Sequence, residues 1–517
     1  MYTSRHSLIF LALLSLFSHV IVAQTDLDSI YAVQVRKAVY LDKTIDTVSQ
    51  PIVDWSNYPQ TVQALCNRYR ASGMPIHRSQ FRHDYPLIFN QLGDSSFFAE
   101  ALAYERIGID FSEGEYVKLF ASSFAGFQVL LKLLTPEIDR HNWQECLKIL
   151  ENYDEYFEDS IKERLTELRE LIEFWLNLEL PAKTVIQTNK NTIDYDKYSP
   201  VITIDEREFY FCVDVHHQSE RVFYMLKEDD RWKGARFQRI KGVGENTVPL
   251  YISADRNLLY LFDDGRVKIA ERSSTQEDWQ VVRDFEGITE EGQGKGGLAI
   301  SNDQRVLIFS GRRLQRVGIS TVENNDLYLS TLNSDGTWTL PINLGPVVNT
   351  QYAERSPYLH SDGKTLYFSS NGHVGFGGLD VFMTRRLDDT WLNWSMPQNL
   401  GIGVNGSGDD WGFIVSASGE RAFLSSKGEN SQVLFDVEVS SEHRPQPMKV
   451  LDMSVTNGAG NGIYADIEVR HIQSEEVILE TETDSITGEF QIVLEKGKKY
   501  DITTQYSDYP ETSRRLD

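Results

Sequence analysis

The sequence predicts a multidomain fold: an N-terminal α-helical domain, a five-bladed β-propeller (with six blades as the alternative) and a small C-terminal β-sandwich. Three observations carry this reading. A strand–turn–strand unit recurs five times, the hydrophobic period changes from helical to alternating at Pro181, and 517 residues exceed what one hydrophobic core organises.

The recurring unit is clearest in SPYLHSDGKTLYFSS, which begins at Ser356. VITIDEREFYF at Val201, YISADRNLLYL at Tyr251, AISNDQRVLIFS at Ala299 and IVSASGERAFLSS at Ile414 repeat it. Aligned on the turn, Asp205, Asp255, Asp303, Asp362 and Ser418 fall in register at successive offsets of 50, 48, 59 and 56 residues. A strand-built repeat of that length is the signature of a propeller, an architecture that serves first as a binding platform.

Residues 1–23 read as a secretory signal peptide. Arg5 and His6 precede an apolar run that continues to Phe17, and Ile21-Val22-Ala23 offers a small residue for cleavage before Gln24. No cysteine follows the run, so lipid attachment there is not supported.

Residues 24–181 are predicted helical. Ile161, Leu165, Leu168, Ile172 and Trp175 form one apolar stripe. Trp143, Leu147, Leu150 and Phe157 share a face just before it, and Asp159 or Ser160 would cap the break. Two such helices predict a tetratricopeptide-like hairpin. Residues 116–134 are the most apolar stretch of the mature chain, but Lys118 and Lys132 inside it predict a buried helix rather than a membrane span.

Residues 182–443 form the predicted propeller. Two segments are versions of each other, TVIQTNKNTIDYDKYSP before the first copy and INLGPVVNTQYAERSP before the fourth. An outer strand therefore precedes the first copy, whereas the fifth copy has three strands and no fourth. We expect residues 184–188 to complete the last blade beside 433–439, which removes free sheet edges and closes the circle. Residues 444–517 follow a proline-rich link. Alternating strands at 465–469, 477–482, 490–494 and 500–504, punctuated by glycine, predict a small sandwich that is incomplete at its last strand.

The net charge of −25 excludes nucleic acid as the natural partner, because a polyanion would be repelled. Three scattered cysteines make neither a disulfide framework nor a zinc site. Cys212 reads as a core thiol, and a bridge between Cys66 and Cys146 is the alternative for the other two.

Candidate chemistry is sparse. In the glycine-dense loop Gly372-His373-Val374-Gly375-Phe376-Gly377-Gly378, no phosphate-loop Lys or Ser/Thr follows. It reads as a long loop allowed to turn sharply, with Asp380 anchoring its base. Asp205, Asp255, Asp303 and Asp362 read as turn residues accepting nearby backbone N–H groups, and Gly363 as the turn position that tolerates positive φ. His216-His217 lacks a third metal ligand, Ser407 lacks a nucleophile-elbow spacing, and no carboxylate pair stands out. No catalytic residue, metal or cofactor is expected. Among the tryptophans, most read as blade packing, while Trp411, which begins the fifth copy, is the candidate ligand contact.

The order of these segments resembles envelope proteins of the OmpA family, which carry a signal peptide, helical repeats, a TolB-like (WD-repeat-like) propeller and a carboxypeptidase-regulatory-like sandwich. NTIDYDKYSPVITIDE from Asn191, SPYLHSDGKTLYFSSNG from Ser356 and GHVGFGGLDVF from Gly372 carry the propeller resemblance. GNGIYADIEV from Gly460 and TDSITGEFQIVLEKGKKYDI from Thr483 carry that of the sandwich; together they cover about 330 residues. The resemblance implies a non-enzymatic scaffold exported to the Gram-negative periplasm and associated with the outer membrane. Its propeller and helices would bind envelope proteins in a secretion or anchoring assembly of the type IX kind, with no transmembrane span in the mature protein. Many members end in a peptidoglycan-binding domain; no segment here matches it, so no direct peptidoglycan site is expected. The alternative is a glycan- or peptide-acting enzyme, or a lectin-like module, using the propeller funnel.

Overall fold

The computed structural model describes Val117, residues 124–157 and 159–176, and residues 183–516 apart from short segments at 187–194, 216–218, 230, 275–276, 289–293, 318–319, 428–430 and 507–511. The expected signal peptide, Cys66, Lys118 and His216-His217 lie outside the described residues. The chain divides into two compact units, one of residues 1–176 with 313–324, which holds the helices, and one of residues 177–312 with 325–517, which is built of strands.

In the helical unit, α1 (Phe124–Asp139), α2 (Trp143–Tyr153) and α3 (Asp159–Leu176) pack on one another. The α3 stripe is buried along its whole length, from Ile161 to Trp175. On α2 the buried face is Trp143, Cys146 and Leu150, and Leu147 is only half-buried. The buried face is thus rotated one residue from the expected one, because a steps-of-three-and-four seam favours position 146. Cys146 is a free thiol, and burial pushes its pKa up to about 11. In α1, Leu130, Leu134 and Ile138 are buried, as a core helix requires; among the described residues no helix is long and apolar enough to cross a membrane.

The β unit opens with five antiparallel sheets. Sheet I comprises Asp196–Ile202, Glu208–Val215, Ser219–Glu228 and Arg231–Phe237. Sheet II comprises Thr247–Ile252, Leu258–Asp263, Arg266–Glu271 and Trp279–Asp284, with Ile240–Lys241 added in parallel at its edge. Sheet III runs Leu298–Ile300, Val306–Val317, Ser320–Thr331 and Ile342–Asn343, and sheet IV Glu354–Leu359, Thr365–Ser370, Asp380–Arg385 and Gln398–Asn399. Sheet V takes Trp411–Val415, Arg421–Lys427 and Gln432–Glu438 from the end of this region. Its fourth strand, Lys183–Val185, comes from the start: Lys183 pairs with Val437, Thr184 with Asp436 and Val185 with Phe435, and the Ile186 N–H donates to Leu434 O.

The sheets form a ring. Their first strands touch in the cyclic order I–II–III–IV–V–I. Alternation along each second strand explains why. In sheet I, Phe209, Phe211 and Val213 join a cluster with Ile414, Phe423 and Leu434 of sheet V, and Tyr210 joins one with Ile252, Leu259 and Trp279 of sheet II. In sheet IV, Leu366 and Phe368 pack toward sheet III and Tyr367 toward sheet V. A strand buried on both faces reads as a continuous apolar run, which is why EFYFCV and TLYFSS lack polar alternation. This is a β-propeller architecture.

Residues 448–516 form a second β domain. Strands Met448–Ser454 and Glu489–Glu495 pair into one sheet, and Val477–Glu482, Asp466–His471, Tyr500–Gln505 and Thr512–Leu516 into another. Ile467, Val469 and Ile502 face Phe490, Ile492 and Leu494 in a shared core. A strand that the sequence pattern did not predict, Thr512–Leu516, pairs with Tyr500–Gln505. Its exposed TSRRL pattern hid it.

Candidate functional site

Each sheet of the ring has its strand one–two turn at one end, here the turn end. The five turns share one construction. Arg207, Asn257, Arg305 and Lys364 each donate their N–H to the carboxylate two residues before, on Asp205, Asp255, Asp303 and Asp362; Glu420 N–H does so to the Ser418 hydroxyl. The next position is left-handed in every copy: Glu206, Arg256, Gln304, Gly363 and Gly419 have φ between 55° and 78°. A partner that sequence reasoning missed stands two residues before the turn residue. Thr203, Ser253, Ser301 and Ser416 use their hydroxyls to accept the N–H that opens strand two, and His360 Nδ1 accepts from Asp362. The repeat alignment itself carried that signal. The acidic turn residues are thus spent on backbone amides, and Asp205 also pairs with Arg256 at 2.9 Å.

Much of the turn end is covered by the chain's own continuation. Tyr367 OH donates to His443 O at 2.7 Å, Gln446 N–H to Asp362 Oδ2 at 3.0 Å and Met448 N–H to Ala417 O at 2.8 Å. Further on, Arg207 Nη2 reaches Asp452 Oδ2 at 2.6 Å. The linker therefore crosses the turns of sheets IV and V, and the C-terminal domain stands against sheet I.

At the opposite end lie the strand two–three loops. The Gly372–378 loop is built on Asp380, whose carboxylate accepts the N–H groups of Phe376 at 3.2 Å and Gly377 at 3.0 Å. The glycines serve a different purpose from the one expected. None of Gly372, Gly375, Gly377 and Gly378 has a positive φ. A methyl at Gly377 would overlap the carbonyl oxygens of Gly408 and Gly406, one at Gly375 the Asp380 carboxylate, and one at Gly372 the Thr350 side chain. Close approach, not sharp turning, selects glycine here. Gly378 N–H then donates to Gly408 O at 2.9 Å, docking the loop on the segment that enters sheet V.

Beneath this loop sit three buried carboxylates. Burial, reinforced by Asp410, holds Asp380 well above the usual carboxylate range. Burial likewise raises Asp410, against the pull of Lys183, whose ammonium lies 3.5 Å from Asp410 Oδ1 and donates to Val404 O at 2.8 Å. Glu354 accepts from Thr350 N–H and both the Thr350 and Ser370 hydroxyls, yet burial pushes its pKa up to about 7. Backbone N–H groups and hydroxyls hold Asp380 and Glu354, and the Gly406 N–H with the Lys183 ammonium holds Asp410, so the three brace loops.

Trp411 lies at this loop end, half-buried, with its ring 5.0 Å from that of Tyr198. The two occupy matching places on neighbouring first strands, each just before a left-handed residue, Gly412 and Ser199. Arg355 fills the same place in sheet IV, before Ser356, and is exposed. Tyr198 OH donates to Glu220 Oε1 at 2.6 Å, and Lys295 pairs with Glu220 Oε2 at 3.1 Å. Position relative to the repeat thus gathers two aromatics and a mixed-charge rim around the mouth of the ring. By contrast Trp279 and Trp394 are buried blade-packing residues. Among the described residues no group of three His, Cys, Asp or Glu side chains is placed to hold a metal ion.

The class this geometry defines is the β-propeller. No protein-family model matches the chain, and none of the curated proteins matches it. Similar solved structures include a putative TolB from Agrobacterium tumefaciens, 14% identical over 58% of this chain and 90% of that one, with a TM-score of 0.28. TolB from Acinetobacter baumannii is 13% identical, covering 55% and 71% with a TM-score of 0.28; oligogalacturonate lyase from Vibrio parahaemolyticus is 10% identical, covering 52% and 100% with a TM-score of 0.29. At such values they carry no functional argument.

Proposed function

We propose that this chain is a non-enzymatic protein-binding scaffold of the Gram-negative cell envelope, exported to the periplasm and associated with the outer membrane, whose docking platform is a five-bladed TolB-like propeller. The tetratricopeptide-like helices would hold a second partner, and the carboxypeptidase-regulatory-like domain would extend the assembly, in a secretion or envelope-anchoring complex of the type IX kind. The observation that carries the reading is the asymmetry of the ring. Its turn end is partly occupied by the chain's own C-terminal domain, while its loop end presents Tyr198, Trp411 and Arg355 with a charged rim. Aromatic and Arg anchors inside a polar rim are the composition of protein-binding hot spots.

The test is site-specific photo-crosslinking in cells, with the crosslinker at Arg355 or at Gln304 on the turn end. One defined envelope protein should crosslink from position 355, and Trp411→Ala should abolish the adduct. Equal crosslinking from both positions, or none, overturns the assignment of the loop end. The adjacent, tilted rings of Tyr198 and Trp411 also favour a second reading, a lectin-like module gripping a sugar face. Binding on a glycan array, lost in Trp411→Ala, would select it.

A further inference from the structure

Where the C-terminal domain stands against the turn end, it encloses a cleft of about 950 Å³. One wall is the turn of sheet II, with Asp255 and Asn257; the other is a face of the four-stranded sheet. Side chains two apart on a strand point the same way. Asp466 and Glu468 on one strand therefore face the cleft together with Glu480 and Glu482 on the next. The register sets Asp466 opposite Glu482 and Glu468 opposite Glu480. Like charges directly opposite destabilise an antiparallel pair. Asp255 and Asp484 bring the lining to six carboxylates, and the one guanidinium among them, Arg470, is bonded to Glu468 at 2.7 Å.

A second feature is a recess of about 20 Å³ that adjoins the cleft, lined by Asn257, Gln491 and four carboxylates, Asp255, Glu482, Asp484 and Glu489, together with Arg256, whose guanidinium is engaged by Asp205 at 2.9 Å. Gln491 is only 7% exposed. Its Nε2 donates to Asp452 Oδ1 at 2.6 Å, and Asp452 is itself held by Arg207. A carboxylate accepts but cannot donate, so the amide cannot be reversed. Gln491 Oε1 is left without a donor, and so is Asn257 Oδ1. A buried amide oxygen without a donor is costly, and native proteins rarely leave one unexplained.

We propose that this cleft is a docking site for a lysine- or arginine-rich segment of a partner protein. Its cationic side chains would relieve the opposed carboxylate pairs, and one lysine ammonium, of the size a recess of about 20 Å³ admits, would bring N–H donors to Gln491 and Asn257. A metal ion fits poorly: no three acidic groups converge on one point among the described residues. The carboxylates instead spread along two strands at the i, i+2 spacing of about 7 Å, which is also the spacing of alternate side chains of an extended peptide. The site lies at the opposite end of the ring from the Tyr198–Trp411 pair and stands independently of it.

The experiment is fluorescence anisotropy of fluorescein-labelled hexalysine with the full chain, at low and at raised salt. Wild type should bind, and more weakly as salt rises. Glu480→Gln with Glu482→Gln relieves repulsion and so should fold; it should weaken binding by about tenfold. Gln491→Leu should weaken it by about tenfold or more, on the order of one lost hydrogen bond to a cation. The remote pair Glu228→Gln with Asp229→Asn, on exposed residues of sheet I, should leave binding unchanged. Unaltered affinity in the cleft variant, or an equal loss in the remote variant, would overturn the proposal in favour of diffuse attraction to an acidic protein. Binding of spermine without binding of hexalysine would overturn it in favour of a small polyamine.

Discussion

Lys183 allows the closure of the ring to be weighed. It lies on the strand that the start of the chain contributes to sheet V, and its ammonium stands 3.5 Å from the fully buried Oδ1 of Asp410, 2.8 Å from Val404 O and 3.2 Å from Ser426 Oγ. It also lies 4.6 Å from the centre of the Phe435 ring. Replacing it by Met keeps the aliphatic stem and removes the charge. At an effective dielectric of about 20, two unit charges at this separation attract by about 5 kcal/mol. Lys183 is 23% exposed, so water recovers part of that. Gly406 N–H continues to hold Asp410 Oδ2 at 2.7 Å. The expected cost is about 2–4 kcal/mol, the loss typical of stranding one member of a buried pair.

The assay is urea denaturation of the full chain followed by tryptophan fluorescence, run as a cycle with Lys183→Met, Asp410→Asn and the double variant. The pair should couple by about 2 kcal/mol, so that the double variant is more stable than the sum of the single losses predicts. The pH dependence has a definite sign. Asp410 is already raised by burial, and losing Lys183 raises it further. A carboxyl raised in the folded state contributes stability at low pH that is lost as pH rises through its folded value, so the penalty of Lys183→Met should grow from acid to neutral pH. Additivity within about 0.5 kcal/mol, or a penalty that shrinks with rising pH, would refute the view that this pair ties the closing strand down.

Glu354 titrates at about 7 in the fold against an ordinary value of 4.5. Its contribution is complete below pH 4.5 and disappears through pH 7, so the stability of wild type relative to Glu354→Gln should fall by about 3 kcal/mol between acid and mildly alkaline pH in chemical denaturation. Gly377→Ala should cost about 1–3 kcal/mol by overlap with backbone, whereas Gly363→Ala, at φ 65° with open space around it, should cost only about 1 kcal/mol of left-handed strain; equal losses in thermal melts would reject the distinction. Gln304→Gly, at an exposed turn position with φ 56°, should stabilise by about 0.5–1 kcal/mol, and a fall in melting temperature would contradict the turn assignment.

The ring was legible because its code is local and repeated. Alternation, turn residues and the echo of one segment in another predicted the sheet order, including the partner of the first strand. What could not be read was anything set by approach between distant segments. Lys183 is an unremarkable lysine until closure brings it to Asp410, more than two hundred residues away. Glycines that read as sharp-turn positions proved to be clearances, because a sequence does not say which backbone passes overhead. Met448–Ser454 and Thr512–Leu516 went unseen because their exposed polar residues blur the period of two. Trp411 could be picked by its place in the repeat, but its partner Tyr198 lies in the first copy, and only a circle makes the two neighbours.

That circularity bears on function. In a ring whose repeated residues are consumed by turns and cross-sheet clusters, recognition is left to positions where the copies differ. In sheets I, IV and V, Tyr198, Arg355 and Trp411 hold one repeat position, and the buried position one residue earlier is Lys197, Glu354 or Asp410. The buried position is polar in each case, as a loop brace must be. By the repeat offsets the neighbouring position is Tyr198, Val248, Gly296, Arg355 or Trp411 in sheets I to V, a variation that bracing does not require. If bracing alone governed this end, exchanging Arg355 for an aromatic residue would be harmless to every interaction of the protein; a docking role predicts that the exchange alters partner choice while leaving the melting temperature in place.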